Sequence, residues 1–178
     1  GYYAMGRTLS TEAGAEVLIT AQVSQDFFPL MRTSPVIGQL FSEDDTRRAQ
    51  YSNASAPTGP DPVVILSHHV WRQQFGGDPD IVGRQVSLER RSFRIVGVMP
   101  GGFAMPDPGV DLWIPWDLSG PRPRDQHYLG AVARLKPGVS IAQANDQLNV
   151  VAGELAAEFP AETNYLYSSY HAGVADVQ

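Results

Sequence analysis

Hydrophobic and polar positions alternate over residues 17–23, and this period of two predicts a β-strand with one better-buried face. The better-buried face is expected to carry Val17, Ile19, Ala21 and Val23. A short helix with Ser24 as its N-cap is expected next, through Asp26–Met31. A second strand is predicted at Val63–Leu66, a continuous aliphatic run between Pro62 and Ser67.

The segment after Val63–Leu66 has helix and turn signals at almost every boundary. Ser67 is a suitable N-cap for a helix that carries Val70, Trp71 and Phe75, and Gly76 is a suitable left-handed C-terminal residue. Asp78-Pro79 then predicts one helical turn that contains Ile81 and Val82 and is closed by Gly83.

A hairpin is expected to follow, with Val86 and Leu88 on one arm and Phe93 and Ile95 on the other. Residues 89–92 lack the glycine or asparagine of a tight turn, so a longer or distorted loop is expected there. Pro115 interrupts the short aromatic run Leu112–Trp116, which favours a position at a sheet edge.

The strongest helical pattern lies near the end of the chain. Ser140 and Gln143 form a capping box, and Pro160 ends the helix after roughly 28 Å. Its apolar stripe comprises Ile141, Ala144, Leu148, Val151, Leu155 and Phe159. A stripe this wide is expected to be core, and the alternative is a partner-binding helix. A small sheet containing a strand at His127–Leu135 is expected to pack on it, and a last strand is predicted at Tyr165–His171.

Two segments have the composition of connections. Ser42–Pro62 is polar and rich in small residues, which predicts an exposed loop, and Pro121–Asp125 is typical of a linker. The chain has 178 residues, a formal net charge of −6, a single lysine and no cysteine. These numbers exclude a disulfide or thiolate site and disfavour nucleic acid as a partner. No apolar run approaches the length of a membrane span.

Candidate catalytic and metal-binding residues each have a simpler structural interpretation. His68 and His69 would point about 100° apart on a helix, which does not suit one metal ion. Ser67 lacks the surroundings of a nucleophile elbow and is better explained as a cap. Glu43-Asp44-Asp45 lacks the alternation of a calcium loop, so a solvated helix start is favoured.

Ligand-binding patterns are also weak. No phosphate-binding loop is present, and Lys136 lies in a turn without the necessary glycines, so no ATP hydrolysis is expected from this chain. Trp71, Trp113 and Trp116 could form a sugar or lipid platform, although core and edge packing explain them equally well. The sequence therefore predicts no catalytic, cofactor or metal site residues.

An ordered set of motifs resembles the extracytoplasmic core domain of MacB-like and FtsX-like ABC transporter permeases. The motifs are VSQDFFPLM, PVIGQLFSEDD, VVILSHHVWRQQFGGDPDIVGRQVSL, FRIVGVMPGGFAMP, DLWIPW and ARLKPGVSIAQANDQLNVVAGELAAEFPAETN. Together they span about residues 17–165, and their style is closest to an acidobacterial-type permease group. Gln39, where arginine is usual, and the 89–91 turn depart from the pattern.

The resemblance implies an α+β fold with two subdomains. Residues 1–35 and 125–178 would form a porter-like α/β part with a long C-terminal helix, whose first strand and helix are expected to precede Gly1 in a longer protein. Residues 36–124 would form an inserted α+β part of short strands and helices.

The resemblance also implies a non-enzymatic domain outside the bacterial inner membrane, held by flanking transmembrane helices. Its expected role is to relay ATP-driven motion to substrates or partner proteins. The partners it implies are a cytoplasmic ATP-binding subunit or domain and either a periplasmic adaptor or a second permease copy, with no cofactor. The alternative is a free extracytoplasmic binding module for a hydrophobic or saccharide ligand that uses the tryptophans.

Overall fold

A computed structural model describes residues 1–11, 14–49, 62–119 and 129–158. The chain forms two compact units, Gly1–Gly120 with Tyr128–Val132, and Pro121–His127 with Ala133–Gln178. The strands are β1 (Tyr2–Thr11), β2 (Gly14–Val23), β3 (Ile37–Gly38), β4 (Val63–Leu66), β5 (Gln85–Leu88), β6 (Arg91–Val98) and β7 (Leu112–Pro115). The helices are α1 (Phe27–Met31), α2 (Glu43–Ala49), α3 (His68–Phe75) and α4 (Ile141–Glu158). This mixture of strands and helices agrees with the predicted α+β class.

Six strands of the first unit pair in a closed ring. The sheet order is β3-β6-β4-β7-β2-β1-β5, and β5 also pairs with β6. Strand β6 therefore pairs with β4, β4 with β7, β7 with β2, β2 with β1, and β1 with β5, which returns to β6. Strand β3 joins β6 outside the ring. Closure leaves few free sheet edges, as in small β-barrels.

Alternation along the strands gives the ring an inner and an outer apolar face. The inner core draws at least one residue from each of the six strands, and α3 contributes Val70 to it. Trp71 and Phe75 of α3 pack against this core. The inner strand residues are Leu9, Leu18, Val64, Leu66, Val86, Leu88, Phe93, Ile95, Val98, Leu112 and Ile114.

The outer core lies on the opposite face of the same strands. Phe27 and Phe28 of α1 pack there against β2, β4 and β7, and the ring of Phe28 lies 6.0 Å from that of the fully buried Trp113. Further aromatic contacts join Phe28 to Phe41 and Phe103. The central strands are therefore covered on both faces, which explains why all four residues of β4 and of β7 are buried.

Strand β1 is a ten-residue element that the sequence pattern does not predict. It pairs with β2 from Tyr2↔Val23 to Thr11↔Gly14. The predicted strand at 17–23 is confirmed within β2, but its expected burial is only partly correct. Ala21 and Val23 are buried, whereas Val17 and Ile19 are exposed because they extend beyond the outer core, and the buried residues at that end are Leu18 and Thr20.

The turn between β5 and β6 is tight, contrary to the expectation of a longer or distorted loop. Leu88 lies opposite Arg91, so Glu89 and Arg90 alone form the turn. Both residues have positive φ, 51° and 66°. This is the backbone pattern of a type I′ hairpin turn, which matches the twist of the flanking strands.

Strand β7 lies inside the sheet, so its predicted edge position is wrong. It pairs in parallel with β2 and antiparallel with β4. The pairing with β4 covers only Leu112 and Trp113, and Pro115 lies beyond it. The missing amide hydrogen of proline therefore leaves no gap between these two strands, which is the physical reason that a central position tolerates it.

Several local predictions also need correction. Ser24 does not cap α1 with its side chain; its carbonyl accepts from Phe27, and Asp26 is the N-cap residue. Residues 43–49 form α2 rather than loop, because Ser42 and Asp45 exchange N-terminal hydrogen bonds. Residues 50–61 lie outside the described part. Residues 79–83 make turns and no helix, with Asp78 accepting the amide hydrogen of Asp80.

The predicted strand at His127–Leu135 is not formed in its described part. Residues 129–135 contain one isolated bridge, in which Gly130 exchanges backbone hydrogen bonds of 2.8 Å with Tyr2. Most of the residues after Gly130 are exposed, so alternating burial cannot stabilise a strand there. The predicted strand Tyr165–His171 lies outside the described residues.

Helix α4 begins as predicted. Ser140 accepts a hydrogen bond from the amide of Gln143 at 3.2 Å, and Gln143 accepts from the amide of Ser140 at 2.8 Å. The expectation that its stripe is core is wrong for three of the five stripe residues that the structure describes, and Phe159 lies outside the described residues. Ala144 is buried, but Ile141, Leu148 and Val151 are exposed, with Leu148 at 50%.

Candidate functional site

Ser67, His68 and His69 lie at the start of α3 and serve the helix. The Ser67 hydroxyl accepts the amide hydrogen of Val70 at 3.2 Å, which confirms the predicted N-cap. The His68 ring makes an edge contact with Trp71 at 5.2 Å, and His69 is exposed. Since the hydroxyl is used as a cap and the two histidines have different surroundings, these residues do not form a nucleophile and base.

The acidic residues at the start of α2 are engaged by neighbours in the same helix. Arg47 forms ion pairs with Glu43 at 2.9 Å and with Asp44 at 3.1 Å. The Asp45 carboxylate accepts hydrogen bonds from the Ser42 amide and hydroxyl. The cluster therefore has the contacts of a helix start, and within the described ranges no group of three or more histidine or carboxylate side chains is placed to hold a metal ion.

The tryptophans do not form a shared platform. Trp113 is fully buried in the outer core and donates its indole hydrogen to the Met105 carbonyl at 2.9 Å. Trp71 packs against the inner core and donates to the Asp78 carbonyl at 2.8 Å. Trp116 is buried, with its ring 6.2 Å from that of Tyr3. The alternative function as a sugar or lipid binder therefore loses the surface on which it rested.

Two arginines and a threonine on the inner side of the ring stand out among the polar residues, and sequence reasoning missed them. Arg7 lies on β1 and Arg91 begins β6, and burial together with the like charge of Arg7 lowers the pKa of Arg91. Thr20 of β2 is fully buried. No signal marked these residues, because β1 itself was not predicted and arginine and threonine are common strand residues.

Lys136 lies in the turn closed by the hydrogen bond from the Val139 amide to its carbonyl, at 3.1 Å. No phosphate-binding loop accompanies it.

Across the described segments, none of the helices has the length and apolar character needed to span a bilayer.

The fold resembles solved domains of bacterial permeases. The periplasmic region of MacB from Actinobacillus actinomycetemcomitans superposes with a TM-score of 0.60 at 16% identity, over 88% of this chain and 65% of that one. A domain of a putative permease protein from Porphyromonas gingivalis superposes with a TM-score of 0.52 at 17% identity, over 88% and 67%. The chain thus spans about two thirds of these domains, and at this identity the likeness shows the fold. No curated protein matches the chain by sequence.

The family comparison is more extensive. A model of the MacB-like periplasmic core domain matches residues 2–151. That range includes every strand of the ring and more than half of α4. The chain therefore belongs to the MacB-like periplasmic core domain family, and it is an extracytoplasmic domain of an ABC transporter permease of the MacB and FtsX type.

Proposed function

We propose that this domain relays ATP-driven motion from the membrane helices of its permease to substrates or partner proteins outside the membrane, without catalysing a reaction itself. The observation that carries the proposal is the family match together with the closed strand ring. A unit whose strands are joined in a ring and covered by two cores resists internal deformation, so it can transmit a displacement as one body.

The polar residues support a non-enzymatic role. Ser67, Asp44 and Asp45 are used in helix caps and ion pairs, and His68 contacts an aromatic ring. None of these side chains converges with another on a place where a substrate could react. We propose as partners a cytoplasmic ATP-binding subunit or domain, and outside the membrane an adaptor protein or a second permease copy.

The division into residues 1–35 with 125–178 and residues 36–124 stays a prediction. Under this division β1 and β2 of one part pair with β5 and β7 of the other. A double variant Ser10→Cys/Ser87→Cys tests it, because these residues are directly opposite on β1 and β5. Opposed antiparallel residues have Cα separations of about 4.5–5.5 Å, which suit a disulfide. If the two parts move apart during the transport cycle, the disulfide formed on oxidation blocks transport. If the ring moves as one body, transport is unchanged by oxidation.

The relay is tested by distances measured in the assembled transporter. Spin labels at Gln73→Cys of α3 and Asn149→Cys of α4 report on the first and second compact units, and both positions are exposed. The absence of cysteine in this chain makes labelling within it specific. We expect the distance distribution between them to change when ATP binds.

The control pair is Gln73→Cys with Asp107→Cys, both exposed and both in the first unit. This pair is expected to keep the same distance in all nucleotide states. A change in the control pair would show that the first unit deforms, and constant distances in both pairs would contradict the relay.

A further inference from the structure

The side chains of Arg7 and Arg91 both extend from the inner face of the ring, close to the turn between β5 and β6. On β1, Arg7 lies two residues before Leu9, and Leu9 lies opposite Leu88 of β5. Leu88 in turn lies opposite Arg91. A hydrogen bond of 2.9 Å from the Glu89 amide to the Thr8 carbonyl holds the intervening turn against β1. Since Leu9 and Leu88 are inner-core residues, both arginines extend from the inner face beside the 89–90 turn.

The two side chains are partly buried and carry the same charge. The guanidinium carbon of Arg91 lies 5.9 Å from the centre of the inner-core ring of Phe93. The Nε atom of Arg7 is buried and makes no hydrogen bond to any residue that the structure describes. Burial first, and then the charge of Arg7, lower the pKa of Arg91. A bound anion would supply an acceptor for the buried Nε hydrogen of Arg7.

A third polar group, Thr20 of β2, lies on the inner face of the ring at a position diagonal to Arg7. Thr20 is on β2, two residues from Leu18, which lies directly opposite Arg7. Thr20 is fully buried, and its hydroxyl has no hydrogen-bond partner among the described residues. The residue opposite it is Met5, a flexible side chain that is 37% exposed.

We propose that this end of the ring is a binding site for the oxyanion group of a small molecule, held by Arg7 and Arg91 with the Thr20 hydroxyl as a further donor. Arginine presents forked N–H groups that match phosphate and carboxylate oxygens. The fully buried hydroxyl can be reached only by a small group that enters the ring, which a flat protein or membrane surface cannot do. The net charge of −6 repels anions in general, so attraction must come from this local pair.

The site is tested by thermal unfolding of the 178-residue chain. Sodium chloride is replaced stepwise by sodium phosphate, or by sodium acetate, at constant ionic strength. Because a ligand that binds only the folded state raises Tm in proportion to its occupancy, the wild-type Tm is expected to rise with oxyanion concentration. A larger rise with phosphate assigns a phosphoryl ligand, and a larger rise with acetate assigns a carboxylate.

Arg7→Gln is expected to weaken the apparent affinity roughly tenfold, since it removes one charged fork. Arg7→Lys, which keeps the charge, is the second variant should the first fail to fold, and it is expected to lose part of the affinity. Thr20→Val should raise Tm without ligand and reduce the ligand-dependent rise. The matched control is Arg94→Gln, on the same strand as Arg91 but on its other face.

The Arg94→Gln chain is expected to respond to phosphate as the wild type does. An equal rise in the wild type and in both Arg7 variants would show a general salt effect and overturn the proposal. A wild-type Tm that rises with neither oxyanion up to roughly 50 mM would overturn it as well.

Discussion

Single residues decide how the β5–β6 hairpin closes. Glu89 and Arg90 both adopt the left-handed backbone region, with φ of 51° and 66°. This conformation costs a residue with a Cβ atom about 1–2 kcal/mol. The turn forms despite this strain because a two-residue turn places Leu88 opposite Arg91, and Leu88 also pairs with Leu9 of β1.

Arg90→Gly is expected to stabilise the chain by about 0.5–1 kcal/mol. Glycine relieves the left-handed strain, although it also gives the unfolded chain more freedom. The change is measured as the free energy of unfolding in urea. The control Arg94→Gly lies within β6 and has no positive φ, so it should destabilise by about 0.5–1 kcal/mol. A loss of stability for Arg90→Gly equal to that of the control would contradict the turn.

Sequence reasoning succeeded at the residue scale where the signal is local. Ser67, Gly76 and Ser140 were identified as caps because their partners lie within a few residues along the chain. It failed at Glu89-Arg90, because a positive φ at a residue other than glycine is imposed by the flanking strands. Arg7, Arg91 and Thr20 were missed because only the ring brings them together.

At the scale of elements, α3 depends on one cap. The Ser67 hydroxyl accepts the Val70 amide hydrogen in a buried position, where water cannot replace it. Ser67→Ala is therefore expected to cost about 1 kcal/mol, or up to about 2 kcal/mol. Ser10→Ala on the exposed part of β1 is the control and should change stability by less than about 0.5 kcal/mol. Equal effects of the two changes in urea unfolding would argue against the cap.

Leu148 in the apolar stripe of α4 and Leu112 in β7 are expected to contribute very different amounts to the free energy of unfolding. Leu148 is half exposed, whereas Leu112 is fully buried in the inner core. Leu112→Ala should cost about 2–5 kcal/mol, because it leaves a cavity. Leu148→Ala should cost less than about 1 kcal/mol in this chain, rather than the larger loss that a core stripe would give. Urea unfolding of both variants measures the contrast, and a loss above about 2 kcal/mol at Leu148 would show that its side chain is packed.

Helix and strand patterns were informative about element type and less so about element surroundings. The three- and four-residue repeat predicted α4 correctly, but periodicity alone does not show what covers the stripe. Likewise, Pro115 indicated an edge strand because proline lacks an amide hydrogen. The sequence could not show that the pairing with β4 ends before Pro115. Strand β1 has only a weak alternation and is stabilised by its long pairing with β2.

At the scale of the whole molecule, the ring depends on contacts between residues far apart in sequence. Pairing of β1 with β5, and of β2 with β7, joins residues separated by about 80 to 90 positions. Such closure cannot be derived from local patterns, because it is made by short pairings between strands that are distant in sequence. The family motifs predicted the α+β class correctly, yet the order of the strands emerged only from the structure.

Ring closure predicts how amide hydrogens exchange with solvent. If the six strands form one cooperative unit, the amides of β2, β4, β6 and β7 should exchange only by global unfolding, with one common free energy. Helix α2 has no buried residue and should exchange first. The decisive amides are those that join β1 to β5, because this short pairing of Leu9 with Leu88 and Ser10 with Ser87 closes the ring.

Hydrogen exchange measured by NMR on the wild type and on Leu88→Ala tests whether the ring is one cooperative unit. We expect Leu88→Ala to lower the free energy of exchange by the same amount in all the central strands, because the pairing belongs to the unit as a whole. A loss confined to β1 and β5 would mean that the ring opens locally, and that the first unit does not transmit motion as a single body.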